Sequence, residues 1–328
     1  MDIALVREHL GGDWKAVVKA MHDALKSDID LLDTTNASIL SHSGKQLRPL
    51  LALLVARACS CGKGITEATI RYAAASELLH NATLLHDDVA DESDRRRGMP
   101  TIYSLMGPAV SVLVGDYWLV KAMDLIIGDT EADTKVIRIF SKTLSDLAEG
   151  EMLQLQKAMS GDTVEEDYRR IIYCKTASLF EAACRSAAVS VGASPEYENA
   201  AVSYATALGL AFQVKDDILD YDGGEAVGKP LGVDVTEQKI TAPLLGAFSQ
   251  VPDEEEQRVR QLVKDIVAHP ANRDEIISFV KENGGLLRAE QMLDSYIREA
   301  VGALDTLEDS FEKATLVQLA HFVAARNS

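Results

Sequence analysis

Almost every stretch between breakers in this chain carries the 3.6-residue period of a helix, and no other feature constrains the fold as much. Apolar residues recur at helical spacing through Pro49 to Ala58, Glu67 to Leu85, Val110 to Ile127, Thr134 to Met159, Glu165 to Val191 and Ser194 to Asp220. The pattern resumes over Glu254 to Ala268, Arg273 to Glu282, Leu286 to Glu308 and Leu316 to Ala325. Gly62-Lys-Gly64, Gly98-Met-Pro100, Gly192-Ala-Ser-Pro195, Gly223-Gly224 and Gly284-Gly285 punctuate it. Ser194 ahead of Pro195 reads as an N-cap with a pre-set first turn. Aromatics make up only 5% of the residues, and no convincing run of alternating strands occurs. Several of these segments are apolar on more than one face, which suits the inside of a bundle. The prediction is an all-α protein, residues 1–328 forming one domain of about ten or more helices.

Charge narrows the function classes. Lys+Arg number 33 against 51 Asp+Glu, a formal net charge of −18. Such a chain is a poor partner for nucleic acid, whose phosphates require a cationic surface. A small phosphate ligand needs only a few local cations and stays open. No segment reaches the roughly 18 uninterrupted apolar residues of a membrane span. The N-terminal stretch mixes Asp2, Arg7, Glu8 and Asp13 with apolar residues, unlike a signal or transit peptide. Cys59, Cys61, Cys174 and Cys184 have no zinc-ligand partners at suitable spacing, so they read as thiols in a reducing compartment. A cytoplasmic protein is expected.

The acidity is concentrated at two places. Asp87-Asp88-Val-Ala-Asp91 ends an apolar helix, and positions i and i+4 put Asp87 and Asp91 on one face. Like charges at that spacing repel, and a divalent cation is the usual compensation. Gln213-x-x-Asp216-Asp217-x-x-Asp220 repeats the arrangement later in the chain. One such cluster alone reads more readily as a solvated helix end; two with the same spacing and apolar run-in do not. Carboxylates without surrounding His or Cys suit Mg2+, which is held by one or two of them and bridges to substrate phosphates. Two facing clusters would then hold Mg2+ around one diphosphate.

Basic residues accompany them: Lys45 and Arg48, then Arg95-Arg96-Arg97, then Lys175-Thr176, Lys229 and Lys239. Arg and Lys recognise phosphate as fork and point charge respectively. Each alone reads as a surface ion pair; the joint pattern points to anionic ligands. The irregular stretch from Asp222 to Lys239, rich in Gly and Pro, reads as a lid or ligand-binding loop, with a flexible connector as the competing reading.

In these motifs the sequence resembles the all-trans isoprenyl diphosphate synthases, or polyprenyl synthetases. The carriers are Gly44-Lys45-x-Leu-Arg48-Pro49, Glu77-x-x-His80, Leu84-Leu-His-Asp87-Asp-x-x-Asp91, Arg96-Arg97-Gly98-x-Pro100-Thr101, Gly115-Asp116-Tyr117 and Gly150-Glu151. Lys175-Thr176, Phe212-Gln213-x-x-Asp216-Asp217-x-x-Asp220, Gly228-Lys229-x-x-Gly232-x-Asp234 and Lys239-x-Thr241-x-Pro243 complete the series. They run in order from about Ser43 to Arg326.

The resemblance implies a single-domain isoprenoid-synthase-type helical bundle around a deep central cavity, working as a homodimer. It also implies a prenyltransferase that condenses isopentenyl diphosphate with an allylic diphosphate by Mg2+-assisted ionisation. Asp87, Asp91, Asp216 and Asp220 would form the metal set, supported by Asp88 and Asp217. With Lys175, these aspartates form the implied catalytic group. Arg96, Lys175, Thr176, Gln213, Lys229 and Lys239 would face the allylic diphosphate. Lys45, Arg48, His80 and Arg97 would hold isopentenyl diphosphate. Two departures stand out: Ser43 and Gln46 where the family commonly has Gly and Arg, and Gln238 where it commonly has Gly.

Ala82 and Thr83 lie one turn or so before Asp87, where short-chain relatives carry bulky aromatics. A tail growing along this helix passes one turn, ~5.4 Å, per added unit, so small residues here point to products of roughly C30 to C50, octaprenyl-like. Small residues that merely allow close helix packing are the competing reading. The alternatives for the chain are a short-chain synthase, a class I terpene cyclase and a catalytically silent regulatory subunit.

Overall fold

The computed structural model describes residues 2–42, 44–96, 98–222 and 231–326. They are helical almost throughout, with one two-residue antiparallel pairing, Arg95–Arg96 against Met99–Pro100. Ser43, Arg97 and the Gly223 to Pro230 part of the long loop, including Lys229, lie outside the described residues. The rest of that loop is not irregular: Val233–Thr236 forms a short helix. The chain divides into two compact units, 1–141 with 182–201 and 306–316, and 142–181 with 202–305 and 317–328.

The first unit is organised around the helix Glu67–Ala90. Its N-terminus is closed by a reciprocal cap, the Thr69 amide donating to Thr66 Oγ1 at 3.2 Å and the Thr66 amide to Thr69 Oγ1 at 3.1 Å. From Tyr72 to Leu79 every residue is buried, as its Ala-rich composition on all faces foretells. The helices Leu47–Cys59 and Pro108–Ile126 pack against it. Gly115 permits the second contact, because a Cβ there would lie 2.4 Å from His86 Nε2. Buried Asp133 ties the unit together, accepting from Tyr72 Oη at 2.6 Å, Arg71 Nη2 at 2.8 Å and Thr130 Oγ1 at 2.6 Å.

In the second unit a five-residue π-helical turn, Tyr173–Ala177, interrupts the helical run between Glu165–Ile172 and Ser178–Ser190. Such bulges gather at functional sites. Two glycines seat it. A Cβ on Gly150 would stand 2.6 Å from Cys174 Cβ, and one on Gly209 would stand 2.5 Å from Ala177 Cα. A separate apolar core, including Tyr221, Val235, Ile240, Leu244, Phe248 and Val259, packs beneath the second aspartate cluster and the short helix after it.

Candidate active site

Both aspartate clusters stand near the C-terminal end of a helix: Asp87 and Asp88 in the last turn of Glu67–Ala90 with Asp91 as its C-cap, and Asp216, Asp217 and Asp220 in the last two turns of Pro195–Asp222. Neither last turn contains a basic residue. The macrodipole makes a helix C-terminus the wrong end for a carboxylate, so each cluster is set against its own backbone field. Cations must supply the balance.

In the first unit Asp88 is buried and accepts from Arg96 Nε at 2.7 Å. Burial raises its pKa while Arg96 opposes the rise. Its own carbonyl accepts from the Ser93 amide at 2.9 Å, and Thr101 Oγ1 closes the turn on the Ser93 carbonyl at 2.7 Å. Asp88 thereby anchors the short hairpin that carries Arg96. Asp87 is half-buried and Asp91 exposed. His86, between the cluster and Gly115, lies 3.2 Å from Asp116 Oδ1 through Nε2, which gives the Gly115-Asp116 pair a physical role. Lys45 is exposed on a turn whose flanking residues, Gly44 and Gln46, have φ of 70° and 48°. Arg48 and His80 are half-buried. Ala82 is buried in the core, and half-buried Thr83 donates its hydroxyl to the His80 carbonyl at 2.8 Å.

In the second unit a chain of hydrogen bonds crosses from the π-turn to the cluster. Thr176 Oγ1 donates to Gln213 Oε1 at 2.7 Å, and Gln213 Nε2 donates to Asp217 Oδ1 at 2.9 Å. Tyr168 Oη donates to the other oxygen of Asp217 at 2.6 Å. Burial pushes the Asp217 carboxyl up to about 6 despite both donors. Asp220 accepts the Val233 and Asp234 amides at 3.0 and 3.1 Å, capping the short helix. Asp234 is driven well above the carboxylate range by burial and by the charges of Asp217 and Asp220. Lys175 Nζ is held 2.7 Å from Glu151, and Lys239 is paired with Glu237. Tyr168, Lys175, Gln213, Asp217, Asp234 and Lys239 all line a cavity of about 130 Å3.

Three of these groups escaped the sequence reading. Tyr168 stands seven residues before Lys175, a same-face spacing that could have drawn notice. Asp234 sat in a recognised motif without a role. Arg326, 2.8 Å from Asp216 through Nη2, offers no local signal at all. Among the described residues, no group of three or more His, Cys, Asp or Glu is arranged to hold a metal by itself, and no helix is long and apolar enough to cross a membrane.

Each unit thus has a helix ending in aspartates, and in the second unit Lys175 and Lys239, held on glutamates, line the same cavity as Asp217. Comparison with known proteins gives the family. Residues 29–281 match the model of the polyprenyl synthetase family. Octaprenyl diphosphate synthase of Escherichia coli (strain K12) is 37% identical over 328 residues, covering 100% of both chains. The crystal structure of a decaprenyl diphosphate synthase from Rhodobacter capsulatus has a TM-score of 0.89 at 32% identity, covering 100% of both chains. That of a polyprenyl synthase from Caulobacter crescentus CB15, complexed with calcium and isoprenyl diphosphate, has a TM-score of 0.88 at 31% identity, covering 100% of this chain and 98% of the other. The chain belongs to the polyprenyl synthetase family, with the all-α isoprenoid synthase fold. It is a trans-prenyltransferase of the long-chain branch.

Proposed function

We propose that the whole chain, 1–328, works as one catalytic domain that extends an allylic diphosphate with isopentenyl diphosphate to an octaprenyl-like product of roughly C30 to C50, one helical turn of cavity per added unit. The observation that carries this reading is the pair of helices ending in aspartates against their own dipoles. The donor set fits Mg2+: it is all-oxygen, with Asp87, Asp91 and Asp216 only partly buried or exposed, while Asp88 and Asp217 are buried acceptors and Asp220 caps the short helix. The calcium and isoprenyl diphosphate of the Caulobacter crescentus structure support the same choice of ligand.

Asp87, Asp91 and Asp216 would hold the metal, with Asp220 fixing the loop that follows. When bound, Mg2+ supplies Lewis-acid stabilisation of the departing diphosphate. Lys175 and Lys239 would exchange Glu151 and Glu237 for diphosphate oxygens, with Thr176 and Gln213 orienting them. Arg96, held by Asp88, and Lys229 would serve the allylic diphosphate as well. Lys45, Arg48, His80 and Arg97 would hold isopentenyl diphosphate. Apolar surroundings keep water from the allylic cation, and the departed diphosphate takes the proton lost after attack. Ala82 and Thr83 would leave room for the lengthening tail.

A homodimer suits the exposed apolar stripe of Leu113, Val120 and Ile127 on and just beyond the helix Pro108–Ile126. Sedimentation of the purified chain as a monomer would reject it. A cytoplasmic location is part of the same reading, tested by fractionation.

The central experiment incubates the purified chain with Mg2+, farnesyl diphosphate and isopentenyl diphosphate and chromatographs the products. A sole farnesyl- or geranylgeranyl-length product overturns the long-chain assignment. Hydrocarbon released from the allylic diphosphate alone would indicate a cyclase. Loss of activity in Asp87→Ala and Asp216→Ala is expected, and full activity in both contradicts the metal assignment.

A further inference from the structure

The second aspartate cluster already contains a cation of the chain's own. Arg326 follows the helix Phe311–Ala325, and only 8% of its side chain is exposed. Its Nη2 lies 2.8 Å from Asp216 Oδ1 and donates to the Phe212 carbonyl at 2.5 Å. Its guanidinium carbon stands 3.8 Å from the centre of the Phe212 ring. Phe212 and Asp216 are one turn apart on the same helix, so one guanidinium clamps a ring, a carbonyl and a carboxylate. Its Nε is buried without a hydrogen-bond partner. Burial pulls the guanidinium below its usual pKa, against the opposing charge of Asp216. An arginine taken out of water with one donor unpaired is a costly way to fill space, and an apolar side chain would pack there at less expense. Its chemistry must therefore act on its partner, Asp216.

We propose that Arg326 is a positioning residue and built-in counter-ion for Asp216, lowering the affinity of the second cluster for a bare divalent cation. The ring, the carbonyl and the burial keep the guanidinium in place, so it does not swing away when ligand arrives. It holds Oδ1 of Asp216 through Nη2. A unit positive charge beside the carboxylate repels a lone dication but attracts the net negative complex of metal and diphosphate. The cluster thus takes metal together with diphosphate and resists taking it alone. This inference rests on the reading of Asp216 as a metal ligand.

The test is Mn2+ titration of the full chain, followed by electron paramagnetic resonance, with and without inorganic pyrophosphate. Arg326→Gln and Arg326→Met are compared with wild type, Arg326→Lys and Asp216→Asn. Removal of the charge should tighten binding of Mn2+ alone by roughly ten-fold, with most of that gain lost when pyrophosphate is present. Arg326→Lys, which keeps the charge, should stay near wild type. A merely structural arginine would leave the affinity unchanged or weaken it on removal, and either result in both neutral variants overturns the proposal. Arg326→Met preserves apolar packing if Arg326→Gln does not fold. Asp216→Asn separates the two levels. If it binds Mn2+ as wild type does, the metal assignment fails and this inference falls with it. If it weakens binding while the neutral Arg326 variants change nothing, only this inference fails.

Discussion

Tyr168 donates its phenolic hydrogen to Asp217 Oδ2 across 2.6 Å inside the second unit, and both side chains are buried. Gln213 serves the other oxygen, so Asp217 is a strut of the site and not an open ligand. Tyr168→Phe keeps the ring and removes the donor. An unsatisfied buried carboxylate oxygen should cost about 1–3 kcal/mol, read as a lower urea midpoint at unchanged m-value. Turnover should fall about ten-fold while the KM for isopentenyl diphosphate holds, because Lys45, Arg48 and His80 are untouched. Wild-type turnover in Tyr168→Phe would show that Gln213 alone suffices.

The π-turn that carries Lys175 and Thr176 depends on two missing methyl groups. Gly209→Ala would push a Cβ to 2.5 Å from Ala177 Cα, a backbone atom that cannot step aside. Gly150→Ala would meet Cys174 Cβ at 2.6 Å. Each should cost about 1–3 kcal/mol and lower the thermal midpoint by several degrees. Each should also weaken allylic substrate binding, since displacement of the turn carries Lys175 with it. Gly302→Ala, with nothing within 4 Å of its Cβ inside the helix Gly285–Ala303, is the control: substrate binding should be unchanged and the thermal midpoint equal or slightly higher.

Periodicity in the sequence located the helices because an apolar face repeats locally. The cap at Ser194 illustrates it, its Oγ accepting the Tyr197 amide at 3.3 Å. The π-turn stayed hidden because one residue of extra winding scarcely alters an apolar pattern that is buried on nearly all sides. The two clusters were equally legible, yet their six aspartates look alike on paper. Only the fold shows that Asp88 accepts from Arg96, Asp217 from Tyr168 and Gln213, Asp220 from two amides, and that Asp216 pairs with Arg326. Partners such as Tyr168 and Arg326 stand 49 and 110 residues from the aspartates they touch, beyond the reach of any spacing rule.

Asp133 makes the first unit acid-sensitive. Burial disfavours its charge, but the bonds from Thr130, Tyr72 and Arg71 outweigh that and hold its carboxyl well below the usual range. A carboxylate depressed in the folded state stabilises above its unfolded pKa of about 4, and that contribution disappears as pH falls through the lower folded value. Asp133→Asn should lose about 1–3 kcal/mol at neutral pH, by removing the charged acceptor of Tyr72, Thr130 and half-buried Arg71. Below about pH 4 the gap between mutant and wild type should narrow progressively. Urea unfolding at a series of pH values measures this, and a gap that is constant with pH would contradict the role of the Asp133 charge.

Product length is the property most exposed to a single side chain. Ala82 is 1% exposed on the Glu67–Ala90 helix, five residues before Asp87. If the prenyl tail grows along that face, Ala82→Phe sets a ring one turn, ~5.4 Å, below the aspartates and stops elongation after very few additions. The same ring overfills a packed core and should cost about 1–3 kcal/mol, so a loss of all activity would report folding instead of length. The informative comparison is therefore chromatography of products from variants whose circular dichroism and thermal midpoint show an intact fold. Ala82→Phe should shift the main product several units shorter, and Thr83→Val, matched in volume, should leave it unchanged. An unaltered length distribution from folded Ala82→Phe would mean that the tail follows another face of the helix.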